Sequence, residues 1–92
     1  MPLPNPYFRI ATVDDDESVR LALHGELDRG TLLTLARELL AFERRGTPVV
    51  VLDLAELSFV DVGGLKLMLE TGRRLRSTGR QLTLANPSTS VR

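Results

Sequence analysis

Apolar positions change period along the chain, and the changes mark out the elements. From Tyr7 to Val13 the chain alternates loosely, with Phe8, Ile10 and Thr12 on one face. Asp14-Asp15-Asp16-Glu17-Ser18 breaks this run with an acidic turn, after which Val19-Arg20-Leu21-Ala22-Leu23-His24 alternates cleanly. Two alternating runs around a polar turn predict an antiparallel hairpin. Gly25-Glu26-Leu27-Asp28 ends the second run, and Asp28 or Thr31 is placed to cap a helix. From Leu32 to about Arg45 the period becomes helical. Leu32, Leu35, Ala36, Leu39 and Leu40 line one side, and Arg37, Glu38, Arg44 and Arg45 the other. Gly46 stops this helix and Pro48 prevents its resumption.

Val49-Val50-Val51-Leu52-Asp53-Leu54 is almost unbroken in aliphatic character, as expected of a strand covered on both faces inside a parallel sheet. Ala55 to Ser58 and a loop to Asp61 follow. A second helix is then predicted from about Gly63 to Ser77, burying Leu65, Met68, Leu69, Gly72 and Leu75. Gly72 marks an expected close approach of helix and sheet, Arg73, Arg74 and Arg76 suit the negative end of the helix dipole, and Gly79 is the C-cap. Gln81 to Ala85 is a last strand, and Asn86-Pro87-Ser88 a turn. The order strand, strand, helix, strand, helix, strand contains two right-handed crossovers between parallel strands. It predicts one α/β domain over residues 1–92, with its core from about 8 to 85, starting at Met1. A further helix is expected beyond Arg92. Without it the last strand and one sheet face lie partly uncovered and open to homodimer formation.

Composition narrows the function classes. Hydrophobic residues make up 42% of the chain with only four aromatics, Tyr7, Phe8, Phe42 and Phe59, so the core is aliphatic and whole-chain disorder is excluded. Twelve basic and twelve acidic residues cancel, leaving no global field toward nucleic acid or an anionic membrane. The absence of cysteine excludes disulfides, thiolate catalysis and cysteine-ligated metals. No run approaches the roughly 20 apolar residues of a membrane span, so a cytoplasmic location is expected, with no insertion into a membrane.

Candidate chemistry is sparse. His24 is the single histidine and lacks the nucleophile and orienting acid that hydrolysis needs. Gly63-Gly64-Leu65-Lys66 imitates a phosphate cradle, but a P-loop requires a hydroxyl residue after its lysine, and here Leu67 follows Lys66. No cofactor, metal site or enzyme activity is expected. Asp53, inside the aliphatic strand, reads as a carboxylate bonded to nearby backbone, and Asp61 as a helix cap. Asp28 and Asp61 each end a strand that runs into a helix in the same direction. They belong on the same sheet edge, as an acidic rim suited to a partner and not as an acid–base pair. Arg73, Arg74, Arg76 and Arg80 read as a solvated helix end and not a nucleic-acid patch.

Three features together resemble one family: Gly25-Glu26-Leu27-Asp28 after a strand, Val51-Leu52-Asp53-Leu54 ending the central strand, and Phe59-Val60-Asp61 followed by Gly64-Leu65 at a helix start. From about Phe8 to Ala85 the chain is similar to the STAS domain, shared by bacterial anti-sigma factor antagonists and the tails of sulphate transporters. The resemblance implies a small sandwich, a mixed four- to five-stranded sheet with helices mainly on one face, and a further C-terminal helix. It also implies a partner, an anti-sigma factor or serine-kinase-like regulator. That partner would contact Asp28, Ser58, Asp61, Val62, Gly63, Gly64 and Lys66. In the antagonists an Asp-Ser-Ser-Gly pattern carries a hydroxyl that the partner kinase phosphorylates. Asp61 and Gly64 match its ends, while Val62 occupies the phosphorylated position and has no hydroxyl. The implied function is a protein-binding regulator of transcription without that switch. A STAS component of a membrane transport system and a small-ligand sensor are the alternatives.

Overall fold

Nearly every change of period becomes an element boundary. In the computed structural model, which describes residues 8–15 and 17–87, the order is β1 (Phe8–Asp14), β2 (Ser18–Leu27), α1 (Leu32–Arg45), β3 (Val49–Val60), α2 (Val62–Ser77) and β4 (Gln81–Ala85). The expectations for Tyr7, Asp16 and Ser88 lie outside the described residues. The four strands form one mixed sheet in the order β1-β2-β3-β4, with β1 antiparallel to β2 and the other two pairs parallel. Both crossovers step the same way across the sheet, so their right-handedness puts α1 and α2 on the same face.

The register shows how the core closes. Val19 pairs with Val50 and Leu21 with Leu52, while Val50 pairs with Leu82 and Leu52 with Leu84, so two rows of aliphatic side chains cross the sheet on the helix face. Leu35, Leu39 and Phe42 of α1 and Met68, Thr71, Gly72 and Leu75 of α2 cover them. The α1 stripe is narrower than the sequence predicts. Phe42 belongs to it, while Leu40 stands 43% exposed and Leu69 of α2 53% exposed. Two helices lying side by side on a small sheet have room to bury only their lowest ridge.

Central strand β3 departs most from expectation. Residues 55–60, read from the sequence as loop, continue the strand to Val60. Its buried side chains are Val50, Leu52 and Leu54, then Leu57 and Val60, so the spacing lengthens partway along the strand. The cause lies in its pairing with β2. Ala22 faces Asp53 but His24 faces Glu56, and Gly25 faces Leu57 but Glu26 faces Phe59. At each step β3 carries one residue more than β2, a bulge that turns the following side chain back toward the core. Similarly, β2 runs on through Gly25 to Leu27, where the sequence suggests an ending.

Helix α1 stops on Gly46, its C-cap, at φ 75°, whereas the C-cap of α2 is Thr78 and not Gly79, which follows it in the left-handed region at φ 76°. Past α1, Thr47 N–H donates to Phe42 O at 3.2 Å, and past α2, Arg80 N–H donates to Leu75 O at 2.8 Å. Each bond satisfies a carbonyl that the helix end would otherwise leave free. The arginines near these ends are not simply solvated. Arg74 forms a two-pronged pair with Glu43 of α1, at 3.0 Å from Nε to Oε2, and Arg80 Nη1 donates to Glu43 O at 2.9 Å. They tie the C-terminal ends of the two helices together, although an exposed pair of this kind adds only about 0–1 kcal/mol.

Asp53 lies on the helix-free face of the sheet. Its carboxylate accepts from Ala55 N–H at 3.1 Å, Asn86 Nδ2 at 3.2 Å and Arg20 Nη2 at 2.9 Å. These bonds, led by Ala55 and followed by Asn86 and Arg20, hold its pKa below the ordinary value. The stability they contribute is complete above the unfolded pKa of about 3.9 and is lost as pH falls through the lower folded value. Urea midpoints measured from neutral pH down to about pH 2 should therefore fall less steeply for Asp53→Asn than for the parent; parallel curves would contradict this assignment. The bulged register makes a second prediction. Leu57, 1% exposed, should cost about 2–5 kcal/mol on replacement by Ala. Phe59, 45% exposed, should cost less than about 1 kcal/mol in the same denaturation measurement.

Candidate functional site

The edge at the C-terminal ends of β2 and β3 is built by hydrogen bonds and close packing. Leu27 and Val60 pair as the strands end, and Asp61 N–H extends the ladder by donating to Leu27 O at 3.0 Å. Asp28 and Asp61 therefore leave the sheet side by side, as the sequence predicts. In open α/β sheets this is the edge where ligands and partners usually meet the protein.

Beyond it, Asp61 caps α2. Its Oδ1 accepts Gly64 N–H at 2.8 Å and its carbonyl accepts Leu65 N–H at 3.0 Å. Gly64 is held by its neighbours: a Cβ there would lie 2.8 Å from Leu27 Cδ2 and 2.9 Å from Val60 Cγ2. The first turn of α2 rests directly on the last core residues of both strands. This is the close helix–sheet approach that the sequence suggests at Gly72, where an added Cβ would instead meet the flexible end of Arg76 at 3.3 Å and the sheet, at Leu82 Cβ, only at an ordinary 3.8 Å. Gly63 has similar room, at 3.5 Å from Asp61 Oδ1 and 3.7 Å from Leu32 Cδ2.

The start of α1 is organised differently from expectation. Thr31 occupies the cap position, yet its side chain makes no bond to the helix. It turns back, accepting from Asp28 N–H at 2.9 Å and donating to Glu26 O at 2.8 Å, and it is buried. Asp28 Oδ1 accepts Gly30 N–H at 2.9 Å, and the Asp28 carbonyl accepts from both Thr31 and Leu32 N–H. Asp28 thus shapes the loop beside Asp61, half-buried, and does not cap through its side chain.

Around this frame stand the remaining candidates. Val62, the first residue of α2, is 69% exposed. Lys66 follows one turn later and is exposed. Ser58, in the second bulge, is exposed and donates to Gly25 O at 3.0 Å. Phe59 was not predicted for this edge; the signal was an aromatic within a run that looked like loop. Its position next to Val60 places an exposed ring beside the rim. No group of three or more His, Asp or Glu side chains is gathered for a metal ion among the described residues.

A strand edge capped by Asp61, with Gly64 pressed onto it and the first helical position free to solvent, repeats the motif that resembled a known family. A family model described as Mlab, STAS domain, matches residues 10–92. The chain belongs to the STAS domain family. Its fold matches that of the anti-sigma factor antagonist SpoIIAA in its unphosphorylated form, with TM-score 0.76 and 26% identity over 90% of this chain and 76% of that one. An anti-sigma factor antagonist from Mycobacterium paratuberculosis matches with TM-score 0.77 at 24% identity, over 89% of this chain and 70% of that one, a likeness of fold. A structure of Mglu matches with TM-score 0.74 and 28% identity over 86% of this chain, which spans only 20% of the Mglu chain. Among curated proteins none matches the chain. No helix among the described residues is long and apolar enough to cross a membrane.

In this STAS domain the two glycines should behave oppositely. Gly64→Ala should lower stability by about 1–3 kcal/mol through the forced shift of Leu27 and Val60. Gly63→Ala should be neutral or stabilising by up to about 1 kcal/mol, from helix propensity. Urea denaturation of both variants checks the pair, and equal losses would contradict the packing at Gly64.

Proposed function

We propose that this protein is a regulator of transcription that binds an anti-sigma factor or similar serine-kinase-like partner through the Asp28, Asp61 and α2 edge, in a state that the kinase cannot switch. The observation that carries this reading is Val62. It sits, exposed, at the helix position that the antagonist pattern gives to its phosphorylated hydroxyl. A phosphate there would bring nearly two negative charges, beside the carboxylates of Asp28 and Asp61, into a surface meant for burial. With valine the surface stays uncharged at its centre and constantly competent to bind. Phe59 and Val62 supply apolar contact, Lys66 and Asp28 polar selectivity, and Ser58 lines the strand side. No reaction is assigned to the chain, and a regulator of this kind acts in the cytoplasm with its sigma factor.

The lost hydroxyl also supports a second use of the same edge, as a scaffold contact in a membrane transport assembly, where no switch is required. Affinity purification from the native extract separates the two: an anti-sigma kinase supports the first, an ATPase–permease assembly the second. For the first, the partner kinase and ATP should leave the parent chain unmodified, while Val62→Ser should take up phosphate at position 62 and lose affinity for that kinase. Stoichiometric phosphate on the parent would overturn the reading.

A further inference from the structure

We propose that the outer ridge of α1, with the trough between it and α2, is a docking site for an acidic amphipathic helix of a partner protein. Leu33, Arg37, Leu40 and Arg44 follow one another at spacings of four, three and four residues, so they share one ridge of α1. That ridge lies nearly opposite Leu35, Leu39 and Phe42, which α1 buries against the sheet. All four residues are exposed, Leu33 at 60% and Leu40 at 43%. A lone exposed leucine is ordinary. Two on one ridge, alternating with two arginines, repeat at the period of a helix–helix seam.

Helix α2 supplies the other wall. The two helices start together, since a Cβ on Gly63 would lie 3.7 Å from Leu32 Cδ2, and toward their far ends Arg74 reaches Glu43. Ala36 and Leu67, both half-buried, fall on the facing sides and floor the trough between them. The trough lies on the α1 side of α2, across that helix from β4 and its open edge. Spacing and charge define the occupant. The chain is neutral as a whole, yet Arg37 and Arg44 on the ridge and Lys66 on α2 are all exposed, with Glu70 the acid among them. A helix laid along the trough needs apolar residues every third or fourth position to meet Leu33 and Leu40. Carboxylates between them meet the arginines, whose guanidinium groups can each hold one by two parallel N–H bonds. A second copy of the chain would bring like charges together on this ridge. A bilayer would take up a broader apolar face than two leucines. The site is separate from the Asp61 edge and does not rest on the partner proposed there.

Fluorescence anisotropy of the full chain with a labelled helical peptide of about three heptads, leucine at its a and d positions and glutamate at e and g, should show saturable binding. The same peptide with lysine in place of glutamate should not bind. Arg37→Glu and Leu33→Gln should each raise the dissociation constant about tenfold or more, with an unchanged thermal midpoint. Arg76→Glu makes the same charge change on the flank of α2 away from α1 and should raise it less than about twofold. Absence of binding, equal binding of the lysine peptide, or equal losses at Arg37 and Arg76 would overturn the proposal. Cosedimentation with phosphatidylglycerol vesicles that Leu33→Gln abolishes would overturn it too, assigning the ridge to a lipid surface, and a dimer of the chain that Leu33→Gln dissociates would assign it to a second copy.

Discussion

The seat of α2 on the sheet is the constraint on which the rest depends. Gly64 lets the helix start within a methyl group's distance of Leu27 and Val60, and Asp61 fixes the direction of that start by capping Gly64 while its own N–H holds Leu27. Core and candidate edge are thus built on the same few residues. The side chains that complete the core from below carry the helix whose first exposed residue meets solvent above. A larger residue at position 64 would tilt the helix and move the whole edge, so binding geometry and stability are coupled there by packing alone.

Much of this was legible in the sequence because it rests on local chemistry. Alternation in β2, the helical period of α1, and the stop at Gly46 are each written in a few neighbouring residues. So is Asp61 as a cap. What could not be read there depends on pairing across the sheet. The run from Ala55 to Val60 loses its alternation because β3 carries two extra residues against β2, and only the register reveals that Leu57 and Val60 still point inward. Likewise, the helical wheel offers Leu40 and Leu69 as core, and the small width of the sheet leaves them outside. The Arg74–Glu43 pair joins residues from different helices, and charge near a helix end does not announce such a partner.

On the proposed reading, recognition is separate from switching. Recognition would then rest on geometry: two strands ending together, a capped helix, and exposed side chains at Val62, Lys66 and Phe59. Switching, in the antagonists this chain resembles, hangs on one hydroxyl. Replacing that hydroxyl by an isopropyl group leaves the frame intact, since Val62 faces solvent and contributes little to packing. The STAS fold does not depend on a hydroxyl at that position.

The central claim is that the edge around Asp61 and the start of α2 is the partner surface. Its most direct test is an amide NMR titration of the isotope-labelled chain with its kinase-like partner. The account predicts that the largest shifts fall at Asp28, Ser58 and Asp61 to Lys66, with the helix-free face at Arg20, Val51 and Thr83 unchanged. Shifts concentrated on that face, with the Asp61 edge silent, would contradict it.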